Sequence, residues 1–378
     1  KELAEIRGQG NSEDECINKS RLNKEAKELL LRWESNDSEV IKLWSQMNNW
    51  VYAGFNETYK KLGVIFDKNY YESETYLLGK DLIEEGLKSN VFYKKEDNSV
   101  WVDLTEFGLD EKLLLRSDGT AVYITQDIGT AIQRFKDFKF SEMVYTVGNE
   151  QNYHFDVLFK ILKKLNYSWA NMCHHLSYGM VDLPEGKMKS REGTVVDADD
   201  LLKHVLYSSI ELSNQLNKKN DLSNKDHKVI SLAAIKYFLL KVDAKKNMMF
   251  NPKESIDFNG NTGPFLLYTY ARIKSLIRKN NTKIEIKKVE INSIEKDLIK
   301  KIIEYPEVIR DSAFSYNPSL ICNYIFEMVK IYNRFYQNNE ILVDDQLTRS
   351  LRLTISEEVS KIIKTSSDLL GFEVLEKM

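Results

Sequence analysis

Three cations stand close together in the stretch EGKMKSREGTVV, which runs from Glu185 to Val196. Lys187, Lys189 and Arg191 can hold phosphate oxygens by charge, and the arginine can also form a two-pronged hydrogen bond. A glycine on either side gives the loop backbone freedom that bulkier residues lack. Phosphoryl and adenylyl transfer need such positive charge where pyrophosphate leaves. The stretch therefore fits a loop that closes on a polyphosphate; the alternative is an exposed charged loop without a ligand.

Two pairs of polar side chains lie upstream of this loop. Tyr123 and Asp127 are four residues apart at a junction between a strand pattern and a helix pattern. A carboxylate there can bind a guanidinium group through both oxygens, or it can simply favour the start of a helix. Gln151 and His154 are three apart on a predicted first helical turn and share its face. His154 can stack on a base, although an ordinary surface histidine is the alternative.

Metal chemistry is not favoured by the sequence. Cys173, His174 and His175 look like ligands, but successive residues of a strand point to opposite faces of the sheet. The other two cysteines, Cys16 and Cys322, lie far away and no CxxC pair occurs. This spacing argues against disulfides and structural zinc, and it is typical of a protein of the reducing cytoplasm.

A β-α-β unit must position the polar pairs. The pattern predicts a buried strand at Met143–Gly148, a helix at Gln151–Leu165 and a second strand at His174–Val181. In a parallel sheet of this kind, ligands bind outside the carboxyl ends of the strands. We therefore expect the segments Gly148–His154 and Gly179–Val181 to line a nucleotide site.

The flanking regions read differently. Residues 1–90 are polar with short apolar stripes, which predicts helices, and Lys112–Thr125 predicts a strand, a turn at Asp118-Gly119 and a second strand. A polar stretch near residues 214–226 suggests a boundary, and Lys228–Met378 predicts an α-helical bundle. No apolar run is long enough for a membrane span, and no signal peptide is visible.

Charge is distributed unevenly along the chain. Residues 221–378 carry 25 Lys and Arg against 21 Asp and Glu, whereas the preceding 220 residues carry 29 against 36. The segment NTGPFLLYTYARIKSLIRK interleaves aromatic and basic residues, namely Phe265, Tyr268, Tyr270, Arg272, Lys274, Arg278 and Lys279. Such a pattern suits stacking on unpaired bases with neutralisation of phosphates. The alternative is an amphipathic core helix with a basic outer face.

Taken in order, these segments resemble a class I aminoacyl-tRNA synthetase, specifically the arginyl-tRNA synthetases. KMKSREGTVV is similar to that family's form of the KMSKS signature, and SDGTAVYITQDIGTAIQR and VGNEQNYHF are similar to two further segments. NTGPFLLYTYARI resembles the start of its DALR-type anticodon-binding bundle, and LLGFEVLEKM resembles its chain end. The similarity covers nearly all of Lys61–Met378.

The resemblance implies roles for the matching residues. The arginine side chain would be held by Tyr123, Asp127 and Gln151, with Asp127 on the guanidinium group. ATP would meet His154, and its adenine would meet the backbone of Met180 and Val181. The loop closing on the triphosphate would consist of Lys187, Met188, Lys189, Ser190 and Arg191. The anticodon bases would be surrounded by Phe265, Tyr268, Arg272, Arg278, Tyr332, Tyr336 and Met378.

The implied fold class is α/β followed by all-α. A partial class I Rossmann-like parallel sheet with an inserted helical and connective segment would precede a helical-bundle, DALR-type anticodon-binding domain. We expect a catalytic portion with its insertion at residues 1–110, the second half of the catalytic domain at 111–220, and the anticodon-binding domain at 221–378. The implied substrates are ATP with Mg²⁺, L-arginine and tRNA(Arg). No structural metal and no membrane are implied, and the full-length enzyme would be a cytoplasmic monomer.

Two departures from the family pattern matter. No H-x-G-H motif occurs among the five histidines, although class I enzymes use it to grip ATP. Together with the start at Lys1, this predicts a fragment, about the last two-thirds of the enzyme, that is inactive alone in adenylate formation. The loop also has Lys189 where serine is usual, and Arg191 where other class I enzymes often have serine.

Two other functions fit parts of the sequence. A synthetase-derived tRNA-binding protein without catalysis would keep the basic helices, but it would not need Tyr123, Asp127 and Gln151. A related synthetase with a similar helical domain, such as the cysteine enzyme, would need zinc-binding cysteines. The three scattered cysteines do not supply them.

Overall fold

The computed structural model describes residues 2–10, 12–75, 78–182, 197–215, 222–258, 260–280 and 289–378. The chain divides into two compact units, Lys1–Ile65 and Phe66–Met378. Within the described ranges, no helix is both long enough and apolar enough to span a membrane.

The first unit is entirely helical in its described residues. Its helices are α1 (Glu2–Gly8), α2 (Glu13–Lys19), α3 (Arg21–Glu34) and α4 (Ser38–Leu62). Side chains start these helices at the expected places: Ser12 and Glu15 form a capping box, and Asp37 accepts the first free N–H groups of α4. Gly63 ends α4 in the left-handed conformation, with φ of 67°. The helical prediction for this region is confirmed.

The second unit begins with short helices and a three-stranded antiparallel sheet. Its first elements are α5 (Glu72–Thr75), α6 (Lys80–Lys88), β1 (Phe92–Lys94), β2 (Val100–Val102), β3 (Lys112–Leu115) and α7 (Tyr123–Phe138). The predicted strand after the Asp118-Gly119 turn is wrong, because only a single bridge joins Leu115 to Ala121 before α7 begins. The buried Thr125 hydroxyl donates to the Leu114 carbonyl at 2.6 Å, which ties the first turn of α7 directly to β3.

The predicted β-α-β unit is confirmed. Strands β4 (Met143–Gly148) and β5 (Cys173–Tyr178) pair in parallel, and α8 (Asn152–Lys164) connects them. The register aligns Gly148 with Tyr178, so the two carboxyl ends lie at one edge. One apolar stripe of α8 is buried against the sheet, namely Phe155, Val157, Leu158, Ile161 and Leu162.

Strand β6 (Val181–Asp182) pairs in parallel with β7 (Met248–Met249). Strand β7 follows the helix Asn224–Leu240, the first helix of the predicted helical region. The Gly179 N–H donates to the Ala244 carbonyl at 2.7 Å. A Cβ on Gly179 would lie 2.5 Å from the backbone carbonyl of Lys246, which is closer than atoms can approach. Glycine at this position therefore allows β6 to lie against the segment that precedes β7.

A helical bundle makes up most of the remainder, as predicted. The helices that follow β6 are α9 (Ala198–Gln215), α10 (Asn224–Leu240), α11 (Pro252–Ser255), α12 (Gly263–Lys279), α13 (Ser293–Ser315), α14 (Ser319–Asn338) and α15 (Gln346–Leu369). Tyr237, Leu266 and Phe335 are among its fully buried side chains. A buried ion pair joins α13 to α15, where Arg352 Nε donates to Glu295 Oε1 at 2.8 Å.

Gly179→Ala should destabilise the chain by about 1–3 kcal/mol, because the added methyl group would collide with backbone that cannot move aside. The matched control is Gly148→Ala at the end of the paired strand, where the methyl group would lie 3.8 Å from the Tyr178 ring, at ordinary contact. Urea unfolding of both variants is the measurement. Equal midpoints for the two variants would contradict the close approach at Gly179.

Candidate functional site

The strand edge brings two of the predicted residues into contact. Asp127 lies on the second turn of α7, and His154 lies on the first turn of α8, just beyond β4. His154 Nε2 is 2.6 Å from Asp127 Oδ2. About half of the Asp127 side chain remains exposed. A carboxylate has room for more than one donor, so this contact leaves Asp127 able to accept a further cationic group.

Tyr123 and Gln151 lie at the same edge and face solvent. Tyr123 opens α7, one helical turn before Asp127, and its side chain is 77% exposed. Gln151 ends a short 3-10 turn that follows β4 and is also exposed. A carboxylate, a phenol and an amide thus lie near the starts of the two helices that the Asp127–His154 contact joins. This set of groups can hydrogen-bond a flat, cationic ligand such as guanidinium.

Met180 and Val181 lie just beyond the other strand of the pair. The Met180 N–H donates to Asn247 Oδ1 at 2.8 Å, and its carbonyl accepts the Met248 N–H at 3.0 Å. Both backbone polar groups of Met180 are therefore engaged within the protein. The exposed part of Met180 is its side chain, which suits an apolar contact with a flat ring better than a new backbone bond.

The predicted triphosphate loop lies outside the described residues. It comprises Lys187, Met188, Lys189, Ser190 and Arg191, within the undescribed range 183–196. Its described neighbours are β6, which ends at Asp182, and α9, which begins at Ala198.

The Cys173-His174-His175 cluster is divided between the two faces of β5. His174 stacks on Tyr316 with ring centres 4.4 Å apart, while His175 packs on Phe155 and donates from Nε2 to the Val147 carbonyl. Burial raises the pKa of the Cys173 thiol to about 11, so that thiol stays protonated. Among the described residues, no group of His, Cys, Asp and Glu side chains is arranged to hold a metal ion.

A second site lies on the helical bundle, where a cavity of about 500 Å³ opens beside α12. Five of the seven predicted anticodon residues line it: Tyr268, Arg272, Arg278, Tyr336 and Met378. The other lining residues are Ala271, Ser275, Leu276, Lys279 and Lys377. Four cationic side chains and two tyrosines surround one opening, and none of the lining residues is acidic. We call it the base pocket.

Arg272 is the most firmly held side chain in the base pocket. Its guanidinium carbon lies 4.7 Å from the Tyr268 ring centre and 4.9 Å from that of Tyr336. Its Nη1 donates to Asn333 Oδ1 at 2.6 Å, and its Nη2 donates to the Tyr268 hydroxyl at 3.1 Å. Planarity and a fixed fork of donors are properties of arginine that lysine lacks. The arrangement is a rigid cationic wall shared by α12 and α14.

The two remaining anticodon residues do not line the base pocket. Phe265 packs against Phe326 and the bundle core. Tyr332 is fully buried, and its hydroxyl is bonded to Ser356 at 3.1 Å. Direct contact between Tyr332 and a base would require its removal from the core, so here the sequence-based assignment is corrected to a core role. From the sequence alone, a tyrosine in the buried apolar stripe of a helix cannot be distinguished from a tyrosine that contacts a ligand.

Sequence reasoning missed several residues of both sites. Asn247 anchors Met180, and Asn333 anchors Arg272, yet each lies far along the chain from its partner. No local pattern announces such contacts. By contrast, Ser275 follows Tyr268 by seven residues and Arg272 by three, and this spacing could have identified it as sharing their face of α12.

Two family models match the chain. The model for tRNA synthetases class I (R), catalytic domain, matches residues 5–252. The model for the DALR anticodon binding domain matches residues 266–378. The first match contains the strand edge with Asp127 and His154, and the second contains every residue that lines the base pocket.

Curated relatives resemble the chain along its whole length. An arginine–tRNA ligase of Flavobacterium psychrophilum is 54% identical over 384 residues, covering 100% of this chain and 64% of the relative. One of Phocaeicola vulgatus is 52% identical over 394 residues, covering 100% of this chain and 65% of the relative. The chain thus spans a little under two-thirds of the length of these relatives.

A solved structure shares the fold. Thermus thermophilus arginyl-tRNA synthetase aligns with a TM-score of 0.80 at 20% sequence identity, covering 99% of this chain and 72% of that one. At this identity the likeness concerns architecture alone, and it agrees with a parallel β-α-β unit followed by a helical bundle.

Tyr332→Phe should lower the free energy of unfolding by about 1 kcal/mol, because it removes the buried hydroxyl bond to Ser356. It should leave RNA binding unchanged, since the ring stays in the core. The control is Tyr336→Phe, whose ring is 37% exposed and should cost little stability. Urea unfolding and a filter-binding assay would check both expectations. A loss of RNA affinity in folded Tyr332→Phe would contradict the core assignment.

Proposed function

The chain belongs to the arginyl-tRNA synthetase family, and on that premise we propose that it forms part of an arginine–tRNA ligase. The proposed reaction activates L-arginine with ATP, releases pyrophosphate and transfers arginine to tRNA(Arg). The observation that carries the proposal is the half-exposed Asp127 carboxylate at the strand edge, held by His154 and flanked by Tyr123 and Gln151.

Asp127 is proposed to select the substrate. A carboxylate accepts two parallel hydrogen bonds from guanidinium, whereas the ammonium group of lysine offers a compact point charge. Loss of a paired donor leaves a polar group unsatisfied, and this is the kind of penalty by which sites discriminate well. His154 would orient Asp127 and contact ATP, and the exposed Met180 side chain would pack on the adenine beside Val181.

The base pocket is proposed to receive the anticodon of tRNA(Arg). Stacking on tyrosine is tolerant of base identity, while the cations neutralise phosphates. Tyr268 and Tyr336 offer rings, but both rings already face Arg272. Tyr268, Arg272 and Tyr336 together present a stacked surface, and an unpaired base can stack on it. Arg278 and Met378 complete the proposed contacts, and Phe265 would support them from behind.

Several finer points remain part of the same proposal. ATP would enter as a complex with Mg²⁺, and the loop containing Lys187, Lys189 and Arg191 would close on its phosphates. We retain the division into a catalytic portion with its insertion at 1–110, a second catalytic part at 111–220 and an anticodon-binding domain at 221–378. A cytoplasmic location agrees with the three free cysteines, and we propose that the full-length enzyme is monomeric.

The polypeptide of these 378 residues should not catalyse arginine-dependent exchange between ATP and pyrophosphate, even with tRNA(Arg) present. It contains no H-x-G-H motif, and losing such triphosphate contacts removes transition-state stabilisation directly. The same assay on the product of the intact gene is the control and should give exchange. Exchange by the 378-residue chain would refute its inactivity, and no arginine-dependent exchange by the intact product would refute the ligase function.

Asp127→Asn in the intact gene product should lower kcat/KM for arginine by about tenfold to a hundredfold, which is the range for a lost hydrogen bond to a charged group. The control is Asp156→Asn, an exposed aspartate on the outer side of α8, which should change kcat/KM by less than about twofold. Steady-state kinetics at varied arginine and saturating ATP provide the measurement. Similar values for both variants would remove Asp127 from the arginine site.

A further inference from the structure

A carboxylate stands beside the base pocket and engages two cations. Lys274 and Arg278 lie one helical turn apart on α12, and both point to Glu376 in the segment that follows α15. Lys274 Nζ is 3.9 Å from Glu376 Oε1, and Arg278 Nη1 is 3.7 Å from Oε2. Arg278 Nη2 also donates to the Glu376 backbone carbonyl at 3.1 Å. Arg278 belongs to the pocket lining, so its charge is shared between the pocket and Glu376.

The contact is loose compared with others in the pocket. Its side-chain distances exceed hydrogen-bonding range, and the Glu376 side chain is 66% exposed. Ion pairs of this kind contribute little stability and are easily exchanged. Arg272 differs in every respect, since two rings and Asn333 fix it in place. Of the four cationic side chains in the pocket lining, Arg272 is thus fixed in place, whereas Arg278 is held by a displaceable partner.

The geometry of the acceptor suggests what the displacing group is. Two oxygens of one carboxylate, each facing a separate cation, match the two non-bridging oxygens of a phosphodiester. A fork such as that of Arg278 and a point charge such as Lys274 are both ordinary phosphate partners. The lining of the base pocket is cationic without an acidic residue, and this favours a polyanion at its edge.

We propose that Lys274 and Arg278 form a subsite for an RNA phosphodiester, and that the Glu376 carboxylate occupies this subsite in the free protein as an internal competitor. The inference rests on the proposed RNA binding by the helical bundle. It adds a binding position for one phosphate and names the Glu376 carboxylate as the anion that occupies it in the free protein. An incoming phosphate must displace the Glu376 carboxylate. The net binding free energy from this phosphate contact is therefore reduced for every RNA. Contacts to bases at Tyr268 and Tyr336 then contribute a larger share of the affinity that remains.

The test compares two variants of the full chain with the same change of charge. Glu376→Gln removes the negative charge that faces Lys274 and Arg278, whereas Glu373→Gln removes an exposed carboxylate three residues earlier on the same segment. The probes are a short oligouridine and a tRNA(Arg) transcript, each titrated over a series of salt concentrations. Glu376→Gln should tighten both probes about twofold to fivefold at low salt. It should also steepen the dependence of log K on log salt by about 0.7 for the added phosphate contact.

The salt slope separates the subsite from simpler explanations. A general charge effect would appear equally in Glu373→Gln, and a merely structural role for Glu376 would weaken binding without steepening the slope. The double variant Arg278→Gln/Glu376→Gln should lose most of the gain if Arg278 is the released partner. Equal slopes for the two glutamate variants, weaker binding by Glu376→Gln, or no binding of either probe would overturn the inference.

The outcome is distinguishable from failure of the proposed function. Oligouridine reports the phosphate subsite without any requirement for anticodon recognition. Preference for tRNA(Arg) over the same transcript with an altered anticodon reports the function. A steeper slope without such a preference would support the phosphate subsite and contradict anticodon recognition. A preference for tRNA(Arg) without a steeper slope would support anticodon recognition and contradict the subsite.

Discussion

The contact between Gly179–Asp182 and Ala244–Phe250 is the constraint on which the placement of the β-α-β unit against the helical region depends. It joins the end of the β-α-β unit to chain that emerges from the first helix of the helical region. A single missing Cβ makes it possible, because any larger residue at Gly179 would meet the Lys246 carbonyl. Backbone hydrogen bonds from the helical region thus hold Met180 and Val181, the residues that we expect beside adenine. The Asn247 side chain also accepts the Met180 N–H.

The strand-edge site and the base pocket differ in how many of their side chains are held in place without a ligand. At the strand edge, Asp127 and His154 come from separate helices and meet at 2.6 Å, while their neighbours Tyr123 and Gln151 stay open to solvent. Few groups are fixed there, and a ligand must complete the arrangement. In the base pocket, Arg272 already lies against two tyrosine rings and donates hydrogen bonds to Asn333 and Tyr268. Rigid aromatic and guanidinium groups lose little conformational entropy when a ligand binds, and here they are already arranged without one.

Sequence periodicity predicted the large elements because burial imposes it. The parallel strands β4 and β5, the helix between them and the helical bundle all follow from apolar spacing. The strand predicted after the Asp118-Gly119 turn failed since Thr125 bonds to Leu114 and draws the chain into a helix, a tertiary effect that propensity does not contain. The strand-edge residues were predicted individually, but their mutual contact was not.

Tyrosine shows the limit of residue type as a guide. Tyr332 and Tyr336 stand four residues apart on α14 and share the same sequence context, yet one is fully buried and the other lines a cavity. The difference lies in α15, whose Ser356 receives the Tyr332 hydroxyl. Burial raises the pKa of Tyr332, in keeping with a phenol that stays neutral in the core. Only the packing of a third helix decides which of the two rings can meet a ligand.

The helical region also contacts β5 near its start, through the residue that ends α13. The Tyr316 ring stacks on His174, its hydroxyl donates to Glu142, and its φ of 51° is a conformation that costs a non-glycine residue energy. Tyr316 caps the C-terminus of α13 and lies three residues before α14, whose far end carries Asn333 and the Tyr336 ring of the base pocket. A helix of that length spans about 30 Å. Because Tyr316 lies at the junction between α13 and α14, a displacement of this junction would disturb its contacts with His174 and Glu142 at the start of β5.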